Sequence, residues 1–341
     1  MSRAKLIRAG IALSTAALLL AGCASSGGGE TTNDGPLADL EQAAFDEGQL
    51  TVYTGAGESQ IEALVDAFMD RYPDISVEYF RGAGTALFNR FSTEVESGSV
   101  VADVFIPTVQ PSFVTDHSDW FLPLDEDLLP ALEDWPEQFR TEYTAEPVVE
   151  EVVTIYNTET VEDVPTTWDE VLDPKYKGRI ILVDPMASAG YMSWYSIMLD
   201  TYGEEFLTRL GEMDPMWVDT GAVGAQQVAT GQYDLVVPGY PSHTAGLIEQ
   251  GAPVDVARNQ DPAQGLTTSV ALVADAPNPN AARLFANWLL TPEAYEVYCD
   301  QGVYSSTIPG TTCPDVASNY VQPNWEVSAE QQDQIVELLG R

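Results

Sequence analysis

The sequence predicts an α/β protein of two lobes, with a two-strand hinge and a central cleft between them. Three observations predict it. From Gln49 onward, short β-rich runs alternate with amphipathic helical stretches, which is the pattern of a sheet covered by helices. Pro147 to Tyr156 (PVVEEVVTIY) is a long β-branched run without a glycine turn, and Leu266 to Ala274 (LTTSVALVA) is a second. Each reads as a strand running between lobes, and two crossings make a hinge.

In the first lobe, Leu50 to Tyr53 reads as a strand and Thr54-Gly55-Ala56-Gly57 as the turn after it. A helix from about Glu58 places Ile61, Leu64, Val65 and Phe68 on one face, and Pro73 ends it. Ile75 to Phe80 is a second strand, 81–85 (RGAGT) a turn, Leu87, Phe88, Phe91 and Val95 one face of a second helix, and Val100 to Ile106 a third strand. Parallel sheets of this kind gather ligands at the carboxyl ends of their strands, so the turns at 54–58, 81–85 and 107–110 share one rim.

The second lobe repeats the logic. Its strands are Arg179 to Val183, a short one near Trp217 and Val218, and Tyr233 to Val237; its helices include Gly190 to Thr201 and Ala222 to Thr230. Its rim turns fall at 184–190, 219–222 and 238–243. After the second crossing, helices are expected at Pro279 to Leu290, Pro292 to Gln301 and Ala329 to Leu339. The division that follows is a signal peptide over 1–22, a flexible tether over 23–47, lobe 1 over 48–152 and 266–300, lobe 2 over 153–265, and a C-terminal helical segment over 301–341 packed on the lobes.

At the N-terminus, Arg3, Lys5 and Arg8 precede an apolar run from Ala9 to Leu20, shorter than the roughly 20 residues a spanning helix needs. It ends in Leu20-Ala21-Gly22-Cys23, which resembles the bacterial lipobox and makes Cys23 the expected lipidation site. Ala24 to Gly35 (ASSGGGETTNDG) is small and polar, a composition unable to offset its ordering entropy by burial. With the signal removed, 53 acidic side chains face 11 basic ones, a formal charge of −42. Such a surface repels nucleic acid and anionic lipid. Cys299 and Cys313 remain as an even pair that reads as a disulfide in an exported chain, with two free thiols or half of a metal site as alternatives.

Several segments carry a resemblance in their order and spacing. They are Leu50-Thr-Val-Tyr-Thr-Gly55, Ala102-Asp-Val-Phe105 and Ile155-Tyr-Asn-Thr158, then Pro165 through Arg179 (PTTWDEVLDPKYKGR) and Ala282 through Ala294 (ARLFANWLLTPEA). Over about residues 48–300 the chain resembles the type II periplasmic solute-binding proteins of ABC importers, in the branch that holds ferric-ion, thiamine, polyamine and phosphonate or sugar-phosphate binders. The resemblance implies the periplasmic-binding-protein type II fold, a small-molecule ligand, an ABC permease as membrane partner, a monomer, no cofactor and no catalysis. It implies an extracellular, lipid-anchored protein, periplasmic where an outer membrane exists. It also implies that the segment 165–179 is scaffold and touches no ligand.

Turns that open into helix N-termini offer backbone N–H groups and the positive end of the helix dipole to negative groups. The candidate ligand contacts are therefore Thr54, Gly55, Ala56 and Glu58 on the first turn, Arg81, Gly82 and Thr85 on the second and Thr108 on the third. In lobe 2 they are Ser188, Ala189, Gly190, Tyr191 and Tyr240. Arg81 is a guanidinium at a strand end in a very acidic chain, suited to a bidentate grip on an anion or, alternatively, to a surface ion pair. The resembling ferric-ion binders carry paired tyrosines where this chain has Tyr240 and then Pro241, so a phosphonate or sugar phosphate is expected ahead of bare iron, and no metal site is assigned. The other class of function is a secreted carboxylate-dependent hydrolase. Against an enzyme stand the two histidines, His117 and His243, and the lack of Gly-x-Ser-x-Gly, His-Glu-x-x-His, Walker or Cys-x-x-Cys motifs.

Overall fold

The computed structural model describes residues 36–341 except 83, 109–111, 134, 259 and 301. The expected signal peptide (1–22) and lipidation site (Cys23) lie outside the described residues. In lobe 1, helix α1 (Pro36–Glu47) leads into β1 (Gln49–Thr54), α2 (Glu58–Arg71), β2 (Ser76–Arg81), α3 (Gly84–Ser97), β3 (Val104–Ile106) and the short α4 (Ser112–Asp116). Strand β4 (Ala145–Glu151) runs almost directly into β5 (Val153–Asn157). Lobe 2 continues with β6 (Ile180–Val183), α5 (Ala189–Tyr202), α6 (Glu204–Gly211), β7 (Met216–Val218), α7 (Gly221–Ala229), β8 (Leu235–Gly239), α8 (Ala245–Glu249) and β9 (Val254–Ala257). Strand β10 (Gly265–Leu272) returns to lobe 1, followed by α9 (Pro279–Leu289), α10 (Pro292–Cys299), β11 (Ser305–Ser306) and α11 (Ala329–Leu338).

Two sheets organise the chain, in strand order β11-β4-β10-β3-β1-β2 and β7-β6-β8-β5-β9. The first crossing occurs between β4 and β5, and the second ahead of β10, where the Val152 N–H donates to the Gln264 carbonyl at 2.7 Å. In lobe 1, β1 is flanked in parallel by β2 and β3, with Val52 opposite Tyr79 and Val104. The period-two alternation of strands sends Leu50 and Val52 to one face and Tyr53 to the other. The first face packs with Phe68, Phe285 and Trp288 under α2 and α9; the second meets Phe88, Phe91 and Phe105 under α3. Lobe 2 closes its own core around Ile181, Val183, Trp194 and Leu235.

Two of the quoted segments, 102–105 and 165–179, hold scaffold together. Asp103 is fully buried and accepts from the Thr51 N–H at 2.7 Å and the Asn278 N–H at 2.7 Å. Within 165–179 the chain forms short 3-10 helices at Trp168–Leu172 and Pro174–Tyr176, with Asp173 accepting from the Lys175 N–H. Trp168 donates its indole N–H to the Pro262 carbonyl at 3.0 Å, and Arg179 grips Asp234 with two bonds of 2.5 and 2.6 Å.

Two expectations are corrected. Residues 36–47, placed in the tether, form α1: Leu40 and Ala44, one turn apart, are buried against α9. Glu47 then accepts from the Ala281 N–H at 2.7 Å and the Asn280 side chain at 2.7 Å, satisfying donors at the start of α9. The segment 301–341, expected as a helical segment, is helical among its described residues only at Ala329–Leu338, where its last helix was expected. Pro309, Pro314 and Pro323 forbid a continuous helix before it. Instead, β11 pairs with β4 in lobe 1, and the chain then passes to lobe 2. There the Asn324 N–H donates to Ser193 Oγ at 2.8 Å on α5, and Ser328 caps α11. This strap is a third connection between the lobes. The disulfide Cys299–Cys313 ties its beginning to α10; closing a loop of that length is worth about 3 kcal/mol.

Candidate functional site

A cleft of about 490 Å³ lies between the lobes, within the range of small-molecule sites. Lobe 1 supplies Gly55, Ala56, Gly57, Ser59 and Gln60 from the turn after β1 and the start of α2, with Thr108 after β3. The hinge strands supply Glu150, Leu266, Thr267 and Thr268. Lobe 2 supplies Ser242, Ala245, Gly246 and Glu249, and the segment after α10 adds Val303 and Tyr304.

The first turn is built tightly. Thr54 is buried, and its Oγ1 accepts from the Ala56 N–H at 3.0 Å. A β-carbon on Gly55 would stand 2.7 Å from Thr108 Oγ1, so glycine lets the turns after β1 and β3 approach closely without moving the Thr108 side chain. Gly57 begins α2 without any side-chain cap, which leaves the first-turn N–H groups of a 14-residue helix at the cleft wall. That wall carries the positive end of the helix dipole.

The opposite side is negative. Glu150 accepts from the Ser242 N–H at 2.8 Å, bridging the hinge to lobe 2. Burial pushes its carboxyl up, opposed by the Ser242 hydrogen bonds and by the charge of Arg258. Glu249 ends α8 and is exposed to the cleft. Among the described lining residues there is no lysine or arginine. Gln60 lies on the α2 side: its Oε1 accepts from the Tyr304 hydroxyl at 2.7 Å, while its buried Nε2 has no partner.

Of the residues singled out from sequence, Gly55, Ala56 and Thr108 line this cleft and Thr54 lies buried beneath it. Glu58 and Thr85 are exposed outside the lining; Gly82 also lies outside it but is half-buried, and its N–H donates to the Thr54 carbonyl at 3.1 Å. Arg81 is exposed as well; its Nε donates to the Ala56 carbonyl at 2.8 Å, so it braces the turn from behind. Ser188 and Ala189 line a separate hollow of about 210 Å³ with Asn324 and Val327. Gly190 packs under Tyr240 and Leu266, where a β-carbon would come within 2.9 Å of the Tyr240 hydroxyl. Tyr191 accepts from the Gly221 N–H at 3.2 Å and lies 5.6 Å from the Tyr240 ring; both are buried. The separation follows from strand order. Strands β3 and β8 neighbour the hinge strands β10 and β5 and β1 lies beside β3, whereas β2 and β7 are edge strands, and the C-terminal strap covers the turn after β6.

Sequence reasoning missed Gln60, Glu150, Ser242, Glu249, Thr267, Thr268 and Tyr304. Glu150 carried no signal that set it apart from Glu151, which is buried in the same run and does not line the cleft.

Residues 54–296 match the family of bacterial extracellular solute-binding proteins. The chain belongs to that family. Its fold is shared by a substrate-binding protein of an ABC transporter from Agrobacterium tumefaciens, with TM-score 0.67 and 18% identity over 86% of this chain and 93% of that one. A spermidine/putrescine ABC transporter substrate-binding protein, PotD, from Streptococcus pneumoniae has TM-score 0.65 and 16% identity over 85% and 97% of the two chains. Iron-bound HitA from Pseudomonas aeruginosa has TM-score 0.62 and 17% identity over 86% and 98%. The solute-binding protein therefore has the type II fold expected from its sequence, a fold that by itself does not choose the solute.

Proposed function

We propose that this solute-binding protein serves an ABC importer, lipid-anchored through Cys23 at the outer face of the cell membrane, and that it captures a small zwitterion without transforming it. The observation that carries the solute class is the polarity of the cleft. The uncapped start of α2 faces it on one side, and Glu150 and Glu249 face it on the other. An anionic end such as a phosphonate or carboxylate fits the N–H groups after Gly57. An ammonium end fits the carboxylates, and its positive charge favours the ionised form of Glu150 against the burial that raises that carboxyl. The expected anion thus keeps its place at the first turn, with Arg81 acting only behind it. Bare ferric iron is disfavoured because Tyr240, at the first tyrosine position of the resembling ferric-ion binders, is buried and absent from the cleft lining, and Pro241 stands at the second.

The test is calorimetric titration of the purified mature protein with aminoethylphosphonate, an α-amino acid, putrescine and inorganic phosphate. Zwitterions are expected to bind best, more tightly as pH rises through the Glu150 titration. Glu249→Gln and Glu150→Gln should each weaken them roughly tenfold or more, the cost of losing a charge-assisted bond. Tight binding of a solute without an amine, indifferent to both substitutions, sinks this reading. Conversion of any ligand during the titration would instead favour a carboxylate-dependent hydrolase, since Glu150 and Glu249 share the cleft.

A further inference from the structure

The segment closed by the Cys299–Cys313 disulfide does more than staple the end of lobe 1. Within it, Val303 and Tyr304 form part of the cleft wall. The Tyr304 hydroxyl donates to Gln60 Oε1 at 2.7 Å, which fixes the amide of a glutamine only 9% exposed. With Oε1 engaged, Gln60 is left with a buried Nε2 donor that has no partner. A buried donor without an acceptor is costly unless something fills the place. Gln60 stands on the first turn of α2, at the side of the cleft where the anionic end of the solute is expected.

The same loop reaches the hinge and the other lobe. Ser305 and Ser306 pair with Val149 and Val148 of β4, and Thr307 Oγ1 donates to the Glu146 and Pro147 carbonyls at 2.8 Å. The Gly302 carbonyl accepts from the Arg258 guanidinium, which lies on the segment after β9 and whose charge acts on Glu150. Cys313 is buried in the lobe 1 core, whereas Cys299 is partly exposed and open to a dithiol.

We propose that Tyr304 is a positioning residue for the solute, that it holds the Gln60 amide ready to donate to a solute oxygen, and that the Cys299–Cys313 bond keeps Tyr304 in place. Reduction by a dithiol, which becomes a disulfide as Cys299 and Cys313 become thiols, releases the Tyr304–Gln60 pair and weakens binding. The inference rests on the interlobe cleft being the solute site, and it holds for any solute with an acceptor oxygen there.

One arm of the experiment needs no solute. Backbone hydrogen exchange is compared in the folded protein before and after reduction with dithiothreitol. Faster exchange is expected at the start of α2 and in β4, with α11 unchanged. Acceleration confined to 299–316 overturns the proposal. The second arm titrates aminoethylphosphonate into wild type and Tyr304→Phe, each oxidised and reduced. In the oxidised protein Tyr304→Phe should bind roughly two- to tenfold more weakly at an unchanged unfolding midpoint, as loss of one neutral hydrogen bond implies. After reduction the substitution should have no further effect. A fully additive pair, or a midpoint that falls while affinity holds, means that the loop is structural only. If aminoethylphosphonate binds neither form, the zwitterion reading fails while the exchange arm still decides this one.

Discussion

Single residues in this protein matter through what burial does to them. Glu146 lies on β4 with 5% of its surface exposed, and burial pushes its carboxyl up to about 7 against hydrogen bonds from Thr267, Gln322 and Ser269. Its Oε2 has no partner. A native value above the unfolded one means that the folded state binds the proton more tightly, so the stabilisation is complete below about pH 4.5 and is lost as pH rises to about 7. The difference amounts to about 3 kcal/mol. Glu146→Gln should therefore remove most of the fall in stability between those limits and unfold at higher denaturant than wild type at pH 8. Urea titrations at several pH values measure this, and parallel pH profiles for the two proteins would refute it. His243 shows the converse: burial holds it down to about 4, so it is neutral at physiological pH and its ring works as a packing group beside Gly221.

At the scale of elements, the hinge is where packing is least forgiving. Gly265 begins β10 opposite Glu151, and a β-carbon there would lie 2.4 Å from the Glu150 carbonyl oxygen. Because the obstacle is backbone, Gly265→Ala must spread β10 from β4 at the crossing. A loss of roughly 1–3 kcal/mol is expected, as for other overpacked sites. Gly246→Ala, inside α8 with a β-carbon that meets nothing within 4 Å, is the control and should unfold at or slightly above the wild-type midpoint. Equal midpoints for both variants would show that the crossing is more pliable than its contacts imply. Elements with a strong period were legible in the sequence: β1, α2, α5, α9 and both crossings fall within a residue or two of their expected places. Short or unaccented ones were not. Strand β9 and helix α8 are each too brief to show a period, and α1 was taken as tether because it follows a glycine-rich stretch.

The whole molecule is dominated by charge. The chain has a formal net charge of −39, and only six ion pairs occur among the described residues. Self-repulsion on that scale opposes the compact state. Raising salt from about 0.1 M to about 1 M shortens the Debye length from about 10 Å to about 3 Å, so the thermal midpoint should climb with sodium chloride. A midpoint that drops with salt would mean that the ion pairs outweigh the repulsion. Three connections between the lobes, two strands and the strap, restrain how far the lobes can move against each other.

The sequence by itself determined the α/β class, the two crossings, the paired cysteines and the glycine turn after β1, because each is written in local periodicity or residue chemistry. Only the tertiary structure decided which rim turns meet. Neighbours across a cleft are set by strand order in two sheets, and strand order leaves no local trace. For that reason Arg81, the sharpest candidate in the sequence, holds the Ala56 carbonyl from an edge strand and is absent from the cleft lining, while Glu150, Gln60 and Tyr304 line the cleft from three distant parts of the chain.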